Sequence, residues 1–348
     1  MPGSNYDRDL SVKEGFVLKK FLVKWEMILV YIMVLINVLL AVIKPDLYFT
    51  HGTVQSMINA GLDVSPLVLG MVFILLLGDI DVSVAAQMIL GGMVTGLLMD
   101  KGLPALLCVI AGIVVCMICG AFNGFLVAKL NIQPMVATLI LYTAGRGIAQ
   151  LVTNGQITYI RVPSFQMAGG YIGKSPVPTP VLFAIVTVVI VALILKKTAL
   201  GLYIESVGIN GKAARLVGLN STMIKFLTYV ICGVLAGIAG LVASSRIYSA
   251  DANNIGLNLE MDAILAVALG GNFLGGGKFS LIGSVIGAYT IQALTTTLYA
   301  MNVKADQLPV YKAIVVIIIV TLQSDVFKKF IESHRSKKVS VAAEGGQK

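Results

Sequence analysis

Residues whose types and spacing could support catalysis are scarce in this 348-residue chain. The two histidines, His51 and His334, lie far apart in the sequence, and neither is part of a metal-binding or nucleophilic motif. Cys116 and Cys119 form a CxxC pair, but the pair lies inside an apolar run with no second pair nearby. A zinc or redox site needs further ligands at a regular spacing, so the cysteines are predicted to be small packing residues.

A glycine-rich stretch at 272–279, NFLGGGKF, is the closest approach to a phosphate-binding loop. That motif requires a glycine at the position of Asn272. It also requires a serine or threonine, which binds Mg²⁺, at the position of Phe279. We therefore predict that the chain is not an enzyme and binds no metal or cofactor. Any ATP and Mg²⁺ that its activity requires would be bound by a separate protein.

Several polar side chains interrupt long apolar runs. On insertion scales a charge at the centre of a bilayer costs about 2.5–3.5 kcal/mol, so such groups usually face an interior path or pair with one another. Two interpretations remain open: a structural ion pair between Arg146 and a carboxylate, or the lining of a polar path suited to a sugar. The candidates are Asp79, Asp81 and Asn123, then Tyr142, Arg146 and Gln150 on one helix face, and Gln292.

The overall composition shows what must position these groups. The chain is 57% hydrophobic and 12% charged, with a mean hydropathy of +0.91, whereas soluble proteins carry about 25% charged residues. The apolar runs are continuous rather than alternating, which predicts an all-α integral membrane protein surrounded by a lipid bilayer. The net charge of +9 is concentrated near the two ends and in one central stretch. This distribution is typical of the positive-inside rule and argues against nucleic acid as a partner.

About ten apolar runs are long enough to form transmembrane helices. Most lysines and arginines lie on one side if both termini are cytoplasmic. This topology predicts a cytoplasmic N-terminal segment at 1–26, a membrane domain at 27–325 and a basic cytoplasmic tail at 326–348, with 153–176 and 244–260 outside. The predicted runs are 27–43, 57–78, 82–99, 103–128, 134–152, 177–195, 222–243, 261–275, 281–300 and 308–324.

The two halves of the membrane domain resemble each other. Asp81 and Asp262 each precede an apolar run that reaches a Gly-Gly pair, and Pro134 and Pro309 each open the last run of a half. Under the topology above, the first member of each pair is cytoplasmic and the second is outside. This predicts two inverted repeats of about four helices each. Regularly spaced glycines in the run 222–243 predict close helix packing.

The longest polar interruption extends from Lys196 to Ser221 and is predicted to be cytoplasmic. Asn210 can cap a short helix there and Gly218 can end it. Apolar side chains of this helix fall at i, i+3 and i+4 beside two basic residues. The segment is either a solvated loop or a helix presented to a cytoplasmic partner. The residues concerned are Asn210, Lys212, Ala213, Arg215, Leu216, Val217, Gly218 and Asn220.

The chain resembles the inner-membrane permease subunits of bacterial ABC importers for monosaccharides of the ribose, xylose and galactose type. The resemblance covers roughly residues 60–325. It rests on GDIDVSVAA, NGFLVAKLNIQPMVATL, TNGQI, KTALGLYIESVGINGKAARLVGLN, LEMDAILAVALGG and GGGKFSLIGSVIGA. Within the family it is most similar to galactofuranose-type permeases. The family usually has glycine where this chain has Asp79.

The resemblance implies a multi-pass subunit of the bacterial cytoplasmic membrane that pairs with a second permease copy or a sister subunit. A cytoplasmic ABC ATPase would drive it, and an external sugar-binding protein would deliver the substrate. Residues 208–220 match the family's coupling segment, in which a short helix sits in a groove of the ATPase. By position and resemblance, the binding protein would dock on Arg246, Asp251, Asn253, Asn254 and Glu260.

Two other functions are compatible with the sequence. A permease of the same architecture could carry a nucleoside or a branched-chain amino acid. A stand-alone secondary carrier or channel would need no ATPase, and it would have no need of a helix presented in the cytoplasm.

Overall fold

A computed structural model describes residues 24–48, 50–171, 177–272, 275–277 and 279–323. The predicted cytoplasmic tail at 326–348 lies outside the described residues. The predicted N-terminal segment at 1–26 also lies outside them, apart from its last three residues.

A helix lies within or across each of the ten predicted apolar runs. The helices are α1 (Trp25–Ile43), α2 (Pro45–Tyr48), α3 (His51–Leu76), α4 (Val84–Asp100), α5 (Ala105–Ala128), α6 (Pro134–Thr153), α7 (Pro163–Gly169), α8 (Thr179–Lys197), α9 (Ala199–Leu216), α10 (Ser221–Arg246), α11 (Leu259–Leu269), α12 (Leu281–Ala300) and α13 (Leu308–Gln323). Two short strands, β1 (Thr158–Tyr159) and β2 (Ser249–Ala250), and a 3₁₀ helix at Ala305–Gln307 complete the described part.

Glycines explain where two of the predicted runs end. The run 57–78 stops as a helix at Leu76 because the chain turns at Gly78, which has a φ of +78°. The predicted end of the eighth run at 275 is wrong. Helix α11 ends at Leu269, and Gly271 follows with a φ of +85°.

Seven of the described helices are long and apolar enough to cross a membrane, namely α1, α3, α5, α6, α8, α10 and α12. Helix α4 is apolar but shorter, with 17 residues, and α11 and α13 have 11 and 16. A hydrocarbon core about 30 Å thick needs about 20 residues of helix. The chain is therefore an all-α, multi-pass membrane protein.

Two helices, α3 and α10, form the interior of the bundle. Helix α3 packs against α10, α12, α8 and α11, and α10 packs in addition against α5 and α4. By contrast, at most a third of the residues in the apolar windows of α1, α5, α6 and α8 are buried. These four helices therefore present the apolar outer surface that a protein in a bilayer requires.

The most extensively packed helix pair, α5 and α10, is joined through glycine as the sequence predicts. A Cβ added to Gly120 would lie 3.2 Å from the Cα of Gly233, and it would also meet the backbone of Tyr229. Helix backbones can approach this closely only where side chains are absent.

Two ends of the bundle carry the polar residues. At one end, β1 pairs with β2 in antiparallel register, so that Thr158 lies opposite Ala250. This small sheet, together with residues 251–258, defines what we call the Asn254 end. At the other end, α9 meets the linkers that follow α3 and α11, and we call this the Asn210 end.

Candidate functional site

The predicted short helix of the polar stretch is present, and its caps are those that the sequence predicts. Helix α9 is broken at Asn210, whose φ and ψ are −157° and 94°. The Asn210 Oδ1 accepts hydrogen bonds from the backbone N–H groups of Lys212, at 3.1 Å, and Ala213, at 3.0 Å. Gly218 follows the helix with a φ of +87°, and its N–H donates to the Arg215 carbonyl at 3.0 Å. The terminal turn is thus capped at both ends.

The part of α9 before Asn210 is helical, which the sequence analysis did not predict. Gly201, Ile204 and Val207 lie at successive intervals of three, and all three are buried. This spacing gives the segment a face that packs against α8, α10 and α3. Tertiary burial therefore stabilises a helix in a stretch that is polar elsewhere.

The capped turn presents an apolar stripe that the described part of the chain leaves uncovered. Leu216 is 89% exposed and Val217 is 77% exposed, and Ala213 beside them is also exposed. Lys212 is exposed on the same turn. Arg215 instead donates through Nε to the Ser221 hydroxyl at the start of α10. We call Ala213, Leu216 and Val217 the exposed stripe.

Asn220 has a local structural role. Its Oδ1 accepts a hydrogen bond from the Met223 N–H at 3.1 Å and so caps α10. The cap and the bond between Arg215 and Ser221 fix the direction in which α10 leaves the capped turn.

Backbone contacts through glycine join α9 to the end of α3. A Cβ added to Gly208 would collide with the Leu76 carbonyl oxygen, and this oxygen accepts a hydrogen bond from the Gly277 N–H at 3.0 Å. A Cβ on Gly276 would lie 2.8 Å from the Gly78 nitrogen. Gly78, Gly208, Gly276 and Gly277 form what we call the glycine junction. A side chain at Gly208 or Gly276 would collide with the facing backbone, so the three segments can meet this closely only through glycine.

Asp79 and Asp81 lie beside this junction, and neither pairs with Arg146. The Asp79 Oδ1 lies 3.8 Å from Lys225 Nζ, and its Oδ2 accepts a hydrogen bond from the Tyr229 hydroxyl at 3.3 Å. Asp81 is fully buried, and its Oδ1 accepts from the Ser83 N–H at 2.8 Å and from the Ser83 hydroxyl at 2.6 Å. Of the two interpretations left open for these groups, an ion pair of Arg146 with Asp79 or Asp81 is therefore wrong.

Asn123 belongs to the same buried network as Asp81. Its Nδ2 donates to the Ser83 hydroxyl oxygen at 2.7 Å, and Gln87 Nε2 donates to the same oxygen at 2.8 Å. Asn123, Ser83 and Gln87 are all fully buried. The network holds the start of α4 against α5.

The face formed by Tyr142, Arg146 and Gln150 lies at the Asn254 end and holds the segment 251–258. Arg146 stacks on the Tyr142 ring, 5.5 Å from its centroid, and Arg146 Nη2 donates to the Gly256 carbonyl at 3.0 Å. Gln150 Nε2 donates to the Asn253 Oδ1 at 3.1 Å. The i, i+4, i+8 spacing thus places the three side chains on one face, and two of them contact one loop.

A cavity of about 320 Å³ opens at the Asn254 end, between α3, α10 and α12 and under residues 251–259. Its polar lining residues are Asp63, Arg246, Asp251, Asn254 and Gln292. The cavity therefore combines Gln292, a predicted path residue, with three of the predicted docking residues. The remaining two predicted docking residues do not line the cavity: Asn253 is exposed and Glu260 is buried.

Asp63 is a residue that the sequence analysis missed. It is 3% exposed and forms an ion pair with Arg246, which joins α3 to the end of α10. Lys312 was also missed, and its Nζ contacts Asp262 Oδ2 at 2.7 Å with both residues buried. Both residues could have been identified from the sequence, because each is a charged residue inside a predicted transmembrane run.

Similarity to known proteins agrees with this architecture. Residues 55–322 match the family described as the branched-chain amino acid transport system permease component. The galactofuranose transporter permease of Escherichia coli strain K12 is 41% identical over 82% of this chain and 84% of its own length. The fructose import permease of Bifidobacterium longum is 38% identical over 73% of this chain and 72% of its own length. The ribose import permease of E. coli strain K12 is 31% identical over 85% of this chain and 92% of its own length.

No solved structure matches the chain. The relatives are permeases, and seven described helices are able to span a membrane, so the chain is a multi-pass protein of the bacterial inner membrane. It belongs to the family of transport-system permease components, whose curated members include import permeases for sugars.

Proposed function

We propose that this protein is the membrane-spanning subunit of an ATP-driven importer and that it translocates a monosaccharide delivered by an external binding protein. The relatives named for galactofuranose, fructose and ribose support this class of substrate. The observation that carries the ATP-driven mechanism is the exposed stripe, in which Leu216 and Val217 are 89% and 77% exposed. An apolar stripe on a rigidly capped helix is suited to the groove of a partner protein.

The proposed topology has ten spans, with both termini and the Asn210 end in the cytoplasm. The distribution of lysine and arginine supports this orientation. In this topology the segment 196–221 is the coupling segment of a membrane domain at 27–325. Segments 1–26 and 326–348 are then cytoplasmic extensions.

The proposed inverted repeats consist of α3–α6 and α10–α13. Their packing supports this division, because equivalent helices of the two repeats make equivalent contacts. Helix α4 contacts α5 and α6, and α11 correspondingly contacts α12 and α13. Likewise α10 packs against α5 and α4, while α3 packs against α12 and α11. The helices that flank the two repeats do not show the same correspondence, because α1 packs against α12 whereas α8 packs against α3.

The proposed partners follow from this arrangement. A cytoplasmic ABC ATPase binds ATP and Mg²⁺ and receives the exposed stripe, so this chain itself needs no cofactor and is not an enzyme. The sugar-binding protein docks at the Asn254 end, where Asn253 and Asn254 are exposed. A second permease copy or a sister subunit packs against the apolar outer surface.

Co-purification with the ATPase tests the proposal. The double substitution Leu216→Ser with Val217→Ser should reduce recovery of the ATPase about tenfold, because it removes the apolar contact from the groove. Leu130→Ser is the matched control, since Leu130 is 53% exposed in the linker between α5 and α6. Undiminished recovery with the double variant would contradict the assignment of the coupling segment.

A further inference from the structure

The cavity at the Asn254 end has features of a binding site that the proposed function does not assign. Its volume of about 320 Å³ lies at the lower end of the range for small-molecule sites, about 300–1,000 Å³. Three buried or partly buried polar side chains reach it from three different helices: Asp63 from α3, Arg246 from α10 and Gln292 from α12. Convergence of helices on one cavity is typical of sites in helical membrane proteins.

These three side chains have hydrogen-bonding capacity that the described residues do not use. Asp63 Oδ1, Arg246 Nε and Gln292 Nε2 are buried atoms without a hydrogen-bond partner in the described part. Asp63 and Gln292 are only 3% and 6% exposed. Unsatisfied buried groups of this kind destabilise a protein unless a ligand or water satisfies them. One of the three is an acceptor and two are donors, so a ligand that satisfies all three must both donate and accept.

The charges in the cavity favour an uncharged ligand. The Asp63 carboxylate and the Arg246 guanidinium form an ion pair and so balance each other. The second carboxylate, Asp251, is occupied by local donors: its Oδ1 accepts from the N–H groups of Asn253 and Asn254, and its Oδ2 accepts from Asn254 Nδ2. An amino acid would require an unpaired cation for its carboxylate, and the cation present is already paired. A solute with several hydroxyl groups meets both requirements, because each hydroxyl is donor and acceptor.

The rest of the lining suits such a solute. Val64, Met88, Ile255 and Leu259 provide apolar surface between the polar groups, and a sugar ring has apolar C–H faces between its hydroxyls. A mostly apolar wall with a few placed polar groups is the usual composition of a small-molecule site.

We propose that this cavity is the permease's own binding site for a neutral, polyhydroxylated solute, in which Gln292 and the Asp63–Arg246 pair bond the hydroxyl groups as the solute leaves the binding protein. The proposal rests on the proposed function and extends it by naming residues that hold the substrate inside the membrane subunit. In this arrangement Asp63 and Arg246 act as a pair, and Gln292 is the most direct single test because its substitution leaves no buried charge unpaired.

The experiment uses the complete transporter in proteoliposomes, with radiolabelled ribose, fructose and galactose as probes and with ATP hydrolysis measured in parallel. Gln292→Leu should lower the amount of sugar transported per ATP about tenfold, while hydrolysis stimulated by the binding protein stays within about twofold. Gln307→Leu is the matched control, since Gln307 is exposed at the same end, and it should leave the ratio unchanged. An unchanged ratio in Gln292→Leu would overturn the site.

A second variant at the same position distinguishes loss of the binding site from faulty assembly of the transporter. In the assembled complex, Gln292→Cys should react with a membrane-impermeant thiol reagent, and sugar-loaded binding protein should slow that reaction. No reaction above that of the unsubstituted chain would overturn the inference. The proposed function fails in a different way: the unsubstituted transporter would hydrolyse ATP and import none of the sugars. Radiolabelled leucine is included as a fourth probe, and uptake of leucine instead of a sugar would reassign the substrate class and contradict the proposal of a neutral, polyhydroxylated ligand.

Discussion

Asp79 and Lys225 face each other where the end of α3 meets the start of α10, with Lys225 Nζ 3.8 Å from Asp79 Oδ1. The acid is the buried partner, with 9% of its side chain exposed, and the base is 30% exposed. Asp63 and Arg246 repeat this relationship nearer the Asn254 end, with side-chain exposures of 4% and 34%. Two ion pairs of the same kind thus join α10 to α3 and to the linker that follows α3.

The pair at the Asn210 end should show measurable but modest coupling. A double-mutant cycle of Asp79→Asn and Lys225→Met should give a coupling free energy of about 0.5–1 kcal/mol, because the lysine is partly solvated. Asp79→Asn keeps an oxygen for the Tyr229 hydroxyl. The measurement is thermal unfolding of the purified protein in detergent. A control cycle with the exposed Lys129 should give no coupling, and equal values in the two cycles would contradict the pairing.

The glycine junction predicts that two neighbouring glycines of α9 respond in opposite directions to alanine. Gly208→Ala places a methyl group against the Leu76 carbonyl and should destabilise the protein by about 1–3 kcal/mol. Gly211→Ala meets only Val207 Cγ1, at 3.9 Å, and should be neutral or stabilising by up to about 1 kcal/mol. Unfolding midpoints in detergent check both values. A neutral Gly208→Ala would mean that α9 is not held against the end of α3.

Arg146 should be needed for the order of the segment 251–258. Arg146→Lys removes the planar group that stacks on Tyr142 and bonds the Gly256 carbonyl, so a lysine cannot replace both contacts. We expect amide hydrogen exchange at 253–258 to accelerate about fivefold, since a bond worth about 1 kcal/mol is lost. Arg161→Lys, at an exposed arginine of the same end, should leave that exchange unchanged.

The helices could be predicted from the sequence because apolar runs of this length have few alternatives in a bilayer. The caps of the terminal turn of α9 were equally accessible, since Asn210 and Gly218 act on their own neighbours. The sequence could not show that the residues before Asn210 are helical, because what stabilises them is the burial of Ile204 and Val207 against other helices.

The partners of the intramembrane charges were beyond the sequence. Arg146 and the two aspartates, Asp79 and Asp81, carry opposite charges that could form an ion pair. Arg146 lies at the Asn254 end, however, and the carboxylates lie at the Asn210 end. Which charges meet depends on helix packing, and spacing along one helix carries no information on that. For the same reason the sequence assigns Gln292 to a polar path and Arg246 to a docking surface, although the fold brings both residues to one cavity.

The buried pair of Lys312 and Asp262 gives the largest predicted change in stability. Lys312 Nζ contacts both carboxylate oxygens, at 2.9 and 2.7 Å, and joins α13 to α11. Lys312→Met removes one partner and leaves a buried carboxylate without its cation, so the free energy of unfolding should fall by about 3–5 kcal/mol. The double variant Asp262→Leu with Lys312→Met leaves no unpaired charge and should recover most of that loss. Unfolding in detergent measures both. If Lys312→Met alone cost little, or if the double variant were the less stable of the two, the pair would not be the interaction that fixes α13 on α11.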